Sequence, residues 1–438
     1  MNYQQVLTKF NIEALNPMQS ATIQAIEKPN DVVLISPTGS GKTLAFLLPL
    51  LQLLKRQAGV QVVILVPTRE LAIQIEQVFK QMATGHKINC CYGGHSIRIE
   101  KNNLSQPPAV LVGTPGRVAY HIQHNNVDVT TAHTLILDEF DKSLDAGFEG
   151  DMSYIIRHLS GLSKRVLTSA TPIEAIPAFV GLRLQVVLNF TEQYQQQKPS
   201  ALTLKAVRIP EGVDKLEGLL LLIGKLGNSS KIVFCNHRDA VKRISQQLHK
   251  LNIAHGLYHG EMEQIDREKT LIKLRNGSIN LLITTDLASR GLDIPEIESV
   301  IHYQLPTTED NMIHRNGRTA RMHASGTAYL LLEEKDYVPR FITETPEDEP
   351  LPAKFVMPEP SPWKTLYIAA GKKDKVNKTD IVGMLLQKGG LQKDELGKIE
   401  VLDNSAYAAV KSDKIYELLM KIQDEKIKGK KQKFEISS

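Results

Sequence analysis

The sequence predicts an α/β protein made of two tandem parallel-sheet domains followed by a small α+β unit of order βαββαβ. Three observations predict it. Short β-branched runs alternate with helical patterns over residues 30–190, and the same alternation returns after residue 200. Such alternation builds a parallel sheet with helices on both faces. A glycine-rich loop follows only the first of these runs. A proline-rich acidic stretch then ends at Pro362, and a lysine-rich segment with its own pattern begins at Trp363.

The elements follow in order. Val32-Val33-Leu34-Ile35 reads as a buried strand, and Leu44-Ala45-Phe46-Leu47-Leu48 opens a helix. Between them, Ser36-Pro37-Thr38-Gly39-Ser40-Gly41-Lys42-Thr43 forms a loop whose backbone N–H groups converge on one point, where the helix end adds partial positive charge. Lys42 would reach the outer phosphates of a nucleotide, and Thr43 would place its hydroxyl on Mg²⁺. Ser36 stands where the general phosphate-loop pattern has glycine. Further strands are expected at Val62–Val66, Val110–Val112, Thr134–Leu137 and Arg165–Thr168. On such sheets ligands bind at the carboxyl ends of the strands. Asp138-Glu139-Phe140-Asp141 lies at one such end, where Asp138 can hold Mg²⁺ through water and Glu139 can orient or deprotonate the attacking water.

Residues 193–200 read as a polar linker. The second alternating region has strands at Lys231–Cys235, Asn280–Thr285 and Ser299–Tyr303, with a helical pattern over Ala240–Leu251 and no phosphate loop. Its polar strand ends would complete the first domain's site across a cleft. Residues 341–362 hold six prolines and five acidic residues, which suggests a stiff, extended, weakly structured connector. Beyond it, Thr365–Ala369 reads as strand, Thr379–Gln387 as helix, Lys398–Leu402 and Ala406–Val410 as strands, Lys414–Asp424 as helix and Lys433–Ile436 as strand. That order includes RNA-recognition modules, although the topology alone proves no function. The expected domains are therefore 1–192, 201–340, a linker over 341–362, and 363–438.

Composition limits the class. The 438 residues are 42% hydrophobic, enough for sizeable cores, yet no stretch approaches the roughly 18 apolar residues that span a bilayer. The N-terminus shows no basic region followed by an apolar one, so no secretory signal is expected. Cys90, Cys91 and Cys235 lack metal-ligand spacing and suggest reduced thiols in a cytoplasmic protein. The formal charge of +5 resides in residues 363–438, which carry 16 lysines, no arginine and 11 acidic residues; the remainder sums to zero. A basic appendage on a neutral body suggests docking on a polyanion.

These motifs give the chain a family resemblance. Residues 16–321 resemble the DEAD-box RNA helicases: Asn16-Pro17-Met18-Gln19, the loop ending in Gly41-Lys42-Thr43, Pro67-Thr68-Arg69-Glu70-Leu71-Ala72, Gly93-Gly94, Thr114-Pro115-Gly116-Arg117 and Asp138-Glu139-Phe140-Asp141 follow in order. They continue with Ser169-Ala170-Thr171, Gln264-x-x-Arg267, Thr285 to Asp293, and His314-Arg315-Asn316-Gly317-Arg318-Thr319-Ala320-Arg321. Phe140 replaces the usual alanine and Ala320 the common glycine, while the charged positions survive. The family's upstream aromatic would fall near Asn2, where Tyr3 is the nearby candidate. Leu366 to Lys373, Asp380-Ile381-Val382-Gly383 and Lys426 to Lys430 resemble the RNA-binding domain of the bacterial DbpA-type helicases. The usual aromatic signature is absent around Tyr407, so lysines are expected to carry much of the RNA contact.

The resemblance implies two RecA-like domains and an RRM-like tail. It implies that Gln19 reads adenine and that Ser36, Thr38, Gly39, Ser40, Gly41, Lys42 and Thr43, with Gly291 and Asp293, bind ATP. Lys42, Asp138, Glu139, Arg318 and Arg321 would be catalytic, the two arginines arriving when the cleft closes. Asp141, Ser169, Thr171 and His314 would couple hydrolysis to strand separation. Pro67, Thr68, Arg69, Gly94, Thr114, Arg117, Gln264, Arg267, Thr285 and Arg290 would hold one RNA strand by its backbone, which conveys no sequence information. Target choice would fall to the tail, with Lys372, Lys373, Lys428 and Lys430 as contacts and the connector as a tether. The implied partners are structured 23S rRNA and pre-50S particles, bound by a monomer that needs ATP and Mg²⁺ and no membrane. The competing readings are a DNA helicase of the same build, a general RNA chaperone of low specificity, and a clamp that holds ATP without turnover. Intact Glu139 and Arg318 oppose the last.

Overall fold

The computed structural model describes residues 3–94, 96–173, 175–191, 202–289, 294–295, 297–319 and 325–437. Arg290, Gly291, Asp293, Arg321, Ala320 and the 193–200 linker lie outside the described residues. The chain divides into two compact units, one within 1–200 and one within 201–289 and 294–438.

The first unit holds a seven-stranded parallel sheet: β1 (Asp31–Ile35), β2 (Val62–Leu65), β3 (Ile88–Cys91), β4 (Val110–Gly113), β5 (Thr134–Leu137), β6 (Lys164–Ser169) and β7 (Gln185–Asn189), in the order β3-β4-β2-β5-β6-β1-β7. Alternation along each strand sorts its side chains into two cores. Val32, Val62, Ile64, Val112 and Val166 face one layer of helices, and Val33, Val63, Leu65, Leu111 and Leu167 face the other. The central strands are apolar on both faces, which is why their runs are nearly continuous.

The second unit repeats the plan. Its strands are β8 (Leu202–Arg208), β9 (Lys231–Cys235), β10 (Gly256–Tyr258), β11 (Leu281–Thr285), β12 (Ser299–His302), β13 (Gly326–Leu332) and β14 (Glu347–Asp348). Their order, β10-β11-β9-β12-β13-β8-β14, is that of the first sheet advanced by seven strand numbers, and all neighbours are parallel.

The tail is a four-stranded antiparallel sheet of β15 (Trp363–Ile368), β16 (Leu396–Val401), β17 (Ala406–Lys411) and β20 (Phe434–Ile436), ordered β16-β17-β15-β20. Helices Lys378–Gln387 and Ile415–Ile422 cover one face, burying Leu366, Ile368, Ala408 and Val410. The βαββαβ order is as the sequence predicts. A ribbon is added before the last strand: β18 (Lys426–Ile427) and β19 (Lys430–Lys431) turn through Lys428 at φ 53° and Gly429 at φ 80°. Two positive φ values in succession suit a two-residue hairpin.

The connector corrects an expectation. It is extended, as its prolines require, but it is fastened down rather than free. Glu347 and Asp348 pair with Lys205 and Ala206 of β8. The Glu349 carboxylate accepts from Lys205 Nζ at 2.6 Å and also pairs with Lys225. Leu351 and Phe355 pack on the second domain's core. Prolines exclude helix but tolerate an edge strand, and the acidic cluster meets basic residues folded from elsewhere. The tail is docked as well. Arg275 grips Glu400 with Nε–Oε1 and Nη2–Oε2 at 2.8 and 2.6 Å, and Thr365 Oγ1 accepts from Asn276 Nδ2 at 2.9 Å while donating to Ser278 Oγ at 2.8 Å.

Candidate nucleotide and nucleic-acid site

The glycine-rich loop crosses from β1 to the helix Lys42–Leu47 through Gly39 at φ 81° and Gly41 at φ 91°, conformations that a Cβ disfavours. No side chain caps this helix at Gly41, so its first N–H groups point into the loop. Lys42 Nζ lies across the loop, donating to the carbonyls of Ser36 and Pro37 at 2.6 and 3.0 Å. Ser36 Oγ bonds Ser40 Oγ at 2.8 Å. The glutamine motif is fastened to the same loop. Asn16 and Gln19 form a capping box, Asn16 Nδ2 donates to Ser40 O at 2.9 Å and Gln19 Nε2 to Gly41 O at 3.3 Å. A Cβ at Gly41 would lie 2.5 Å from Gln19 Nε2.

Tyr3 lies elsewhere. Its hydroxyl donates to Glu27 at 2.5 Å and accepts from Gln52 at 2.9 Å. Glu27 ends the helix Pro17–Glu27, about 12 Å along its axis from Gln19 at 1.5 Å per residue. The structure therefore ties Tyr3 to the far end of that helix.

β5 delivers the carboxylates. Asp138 is 3% exposed, and its Oδ1 accepts from Thr168 Oγ1 and from Glu139 N. Burial pushes the Asp138 carboxyl above its ordinary 3.8, against the opposing pull of Thr168 and Lys42. A divalent cation restores the charge that burial disfavours, so this donor fits Mg²⁺. Glu139 adopts the left-handed region at φ 48° and starts the helix Phe140–Asp145, a strained backbone of the kind that gathers at functional sites. Phe140 is fully buried among Leu135, Leu137, Met152 and Ile155. The larger side chain fills core and leaves the flanking acids in place. Asp141 accepts from Thr171 Oγ1 at 3.2 Å, Ser169 Oγ donates to Thr171 O at 2.5 Å, and Ser36 N donates to Ser169 O at 3.0 Å. The phosphate loop, the acidic tetrapeptide and the Ser-Ala-Thr turn thus form one hydrogen-bonded unit.

The first unit's nucleic-acid candidates line neighbouring strand ends. Thr68 follows Pro67 and caps the helix Arg69–Met82 through Leu71 N at 3.3 Å. Gly94, at φ 86°, lets Arg69 Nη1 lie where a Cβ would otherwise be. Thr114 precedes the helix Pro115–Gln123, whose Arg117 Nε donates to Tyr92 O at 3.2 Å and lies 3.4 Å from Glu100 Oε2.

In the second unit, Gln264 and Arg267 begin the helix Gln264–Arg275. Arg267 Nη2 donates to Gly260 O at 2.5 Å, with the guanidinium 5.9 Å from the Tyr258 ring centre. Thr285 ends β11. On the helix Glu309–Asn316, His314 is buried, and Arg318, just beyond it, is 2% exposed. Sequence reasoning passed over one residue in each unit. Arg315 is fully buried and clasps Asp286 at 2.5 and 3.1 Å, Gln304 O at 2.7 Å and Asn236 Oδ1 at 2.7 Å. Thr168 is the other, and its signal was a hydroxyl at a strand end just before Ser169-Ala170-Thr171.

On the tail, Lys372 and Lys373 are exposed on a short turn, Lys428 pairs with Asp380 at 2.7 Å and Lys430 lies 4.0 Å from Asp374. The sheet face opposite the two helices is taken up by docking. Tyr407 is 3% exposed and its ring meets Tyr367 at 5.4 Å. Burial pushes its hydroxyl up to about 12, with the carboxylates Glu268 and Asp266 of the second domain adding to the rise.

Comparison with known proteins agrees with this geometry. Residues 16–179 match the DEAD/DEAH box helicase model, 213–323 the helicase conserved C-terminal domain and 365–436 the DbpA RNA binding domain. The chain is 31% identical to the ATP-dependent RNA helicase DbpA of Escherichia coli K12 over 97% of its own length and 94% of that protein's. It is 32% identical to the ATP-dependent RNA helicase DeaD of Buchnera aphidicola over 73% of its length and 54% of that relative's. Among solved structures, S. cerevisiae Dbp5 bound to RNA and ADP–BeF3 superposes with a TM-score of 0.69 at 24% identity, covering 79% of this chain and 93% of that one. Mss116 bound to single-stranded RNA gives 0.70 at 24% identity, covering 80% and 77%. These two show the RecA-like fold. The chain belongs to the DEAD-box ATP-dependent RNA helicases.

Proposed function

We propose that this DEAD-box helicase couples Mg²⁺-dependent ATP hydrolysis to local opening of structured RNA selected by its tail, with 23S rRNA of pre-50S particles as the target, and that it works as a cytoplasmic monomer. The single observation that carries the catalytic half is the hydrogen-bonded unit of phosphate loop, acidic tetrapeptide and Ser-Ala-Thr turn. In this reading Lys42 and the loop amides, from Ser36 to Thr43, hold the phosphates and Gln19 reads adenine. Thr43 and Asp138 would hold Mg²⁺, which when bound would supply positive charge against the phosphate oxygens. Glu139 positions and deprotonates water. Arg318 and Arg321 stabilise the transition state, with Gly291 and Asp293 on the nucleotide. Asp141, Ser169, Thr171 and His314 relay the change.

Pro67, Thr68, Arg69, Gly94, Thr114 and Arg117 would grip RNA from the first domain, and Gln264, Arg267, Thr285 and Arg290 from the second. Hydrolysis that waits for RNA then follows as a population shift toward a state binding both ligands. We assign 1–192 and 201–340 to the two RecA-like domains, 341–362 to a connector and 363–438 to the RNA-binding domain. The DbpA-type tail supports the ribosomal target, and its occupied sheet face supports recognition through lysines rather than base stacking on the sheet.

The test is phosphate release and strand separation with three substrates: a ribosomal hairpin fragment carrying a duplex arm, an unrelated hairpin of equal length, and the DNA counterpart. The ribosomal RNA should stimulate at the lowest concentration and DNA should not stimulate. Reversing charge at Lys372, Lys373, Lys428 and Lys430 should erase that preference and flatten the salt dependence of binding. Equal response to both RNA hairpins in the native protein would favour a general RNA remodeller.

A further inference from the structure

Cys91, Glu100 and His121 are all buried and present ligand atoms within 4.8 Å of one another. The trio has the look of a metal site, but its hydrogen bonds describe something else. His121 Nδ1 faces the donor Asn126 Nδ2 at 3.1 Å, so Nδ1 accepts and the ring proton sits on Nε2. Nε2 is 2.8 Å from Glu100 Oε2, and in this tautomer its N–H donates a hydrogen bond to the carboxylate. A metal there would have to displace that proton. Burial also pushes the Cys91 thiol up, keeping its proton. The cation beside Glu100 is already present as Arg117, with Nε at 3.4 Å.

Glu100 is 1% exposed. A buried carboxylate is costly unless it is paired and hydrogen-bonded, and this one joins three chain segments. It accepts from Tyr92 N at 3.1 Å, at the end of β3, just before Gly93 and Gly94. It lies on the helix Ile97–Leu104. It also meets Arg117 and His121, one turn apart on the helix Pro115–Gln123 and so on one face. Arg117 Nε in turn donates to Tyr92 O at 3.2 Å.

We propose that Glu100, held from behind by His121, is a positioning residue that presets the Gly93-Gly94 turn and Arg117 to receive an RNA sugar-phosphate backbone. It rests on the reading above that Arg117 grips RNA. The carboxylate fixes one edge of the guanidinium before RNA arrives, which lowers the ordering cost of binding.

The test uses the full-length protein and the RNA-stimulated ATPase, measuring RNA KM, kcat at saturating RNA, ATP KM and thermal unfolding. Glu100→Gln should raise RNA KM about tenfold, within the range of coupling between contacting residues, leaving ATP KM unmoved. In an Arg117→Ala background the same change should cost almost nothing. His121→Leu should behave like Glu100→Gln, and His121→Gln, which keeps a donor near Nε2, should restore the RNA KM. If Glu100→Gln does not fold, the two His121 variants decide alone. Additive costs in the double variant, or no recovery in His121→Gln, overturn the assignment to Arg117. One equivalent of zinc in the purified protein, lost in Glu100→Gln, overturns it in favour of a metal. Arg117→Ala with unchanged RNA KM removes the RNA grip itself, a separate failure.

Discussion

The two RecA-like sheets share one strand order and differ at their strand ends. After β1 the first sheet offers two positive-φ glycines, an uncapped helix start and Lys42. After β8, its counterpart, the second sheet offers Ile209 to Asp214. There the helix Lys215–Leu226 is capped by its own carboxylate, with Asp214 Oδ1 accepting from Leu216 N at 2.7 Å, and Lys215 is drawn to Asp336 at 2.7 Å. One of the N–H groups that could hold an anion is spent on an acid. The ends of β5 and β12 differ in the same way. The first gives Asp138 and Glu139. The second gives His302, fully buried and lowered to about 3 by burial and by the Arg315 charge, hence neutral. Identical topology thus places equivalent strand ends, and a few residues there distinguish the sheet with a phosphate-loop pattern from the one without it.

The comparison can be broken most sharply at Glu139. Glu139→Gln should lower turnover by about 10⁴-fold, the upper range for removing a general base, while ATP still binds. Near-normal phosphate release would move the chemistry off the first sheet. Next comes the charge assigned to the second sheet. Arg318→Ala should cut kcat about 10³-fold if it acts as an arginine finger, and an effect confined to RNA KM would reassign it.

Asp138 sharpens the contrast through stability. Its folded pKa is raised above 3.8 by burial. The stabilising contribution of its neutral form is therefore complete below pH 3.8 and is lost as pH rises through the folded value. Asp138→Asn should raise the melting temperature of the nucleotide-free protein at neutral pH and not at strongly acid pH, while abolishing Mg²⁺-dependent turnover. Equal shifts at both pH values would deny the burial penalty. The smallest effect belongs to the second sheet's cap. Asp214→Ala should destabilise by about 1 kcal/mol, as lost N-caps do, with ATP KM unchanged in a titration of ATPase rate.

Much of this was legible in the sequence, for identifiable reasons. β1, β2, β4, β5, β6, β9, β11 and β12 announce themselves because they are buried on both faces. β3, with its Ile88-Asn89-Cys90-Cys91, and β14, with Glu347-Asp348, do not, since a neighbour's hydrogen bonds rather than their own side chains make them strands. β7 is exposed at alternate residues and escapes notice as an edge. Site residues inside contiguous motifs were equally readable. Thr168, Arg315 and Glu100 were not singled out, because much of their meaning lies in the distant partners Asp138, Asp286 and His121, 30, 29 and 21 residues away. The connector, expected to be weakly structured, is fastened for the same reason: Lys205 and Lys225 pair with its Glu349.

The docked tail has a metric consequence. A free chain of the 22 residues 341–362 would let its end wander over about 25 Å. Here a single helix, Gln264–Arg275, has the RNA-grip candidates Gln264 and Arg267 at its start and the tail's anchor, Arg275, at its end. Arg267 and Arg275 are about 12 Å apart along that axis. A tail mounted in this way is a ruler rather than a leash. If the tail selects the RNA as proposed, the RNAs it serves should hold the recognised element and the opened strand at one spacing, and inserting base pairs between them should put one of the two out of reach.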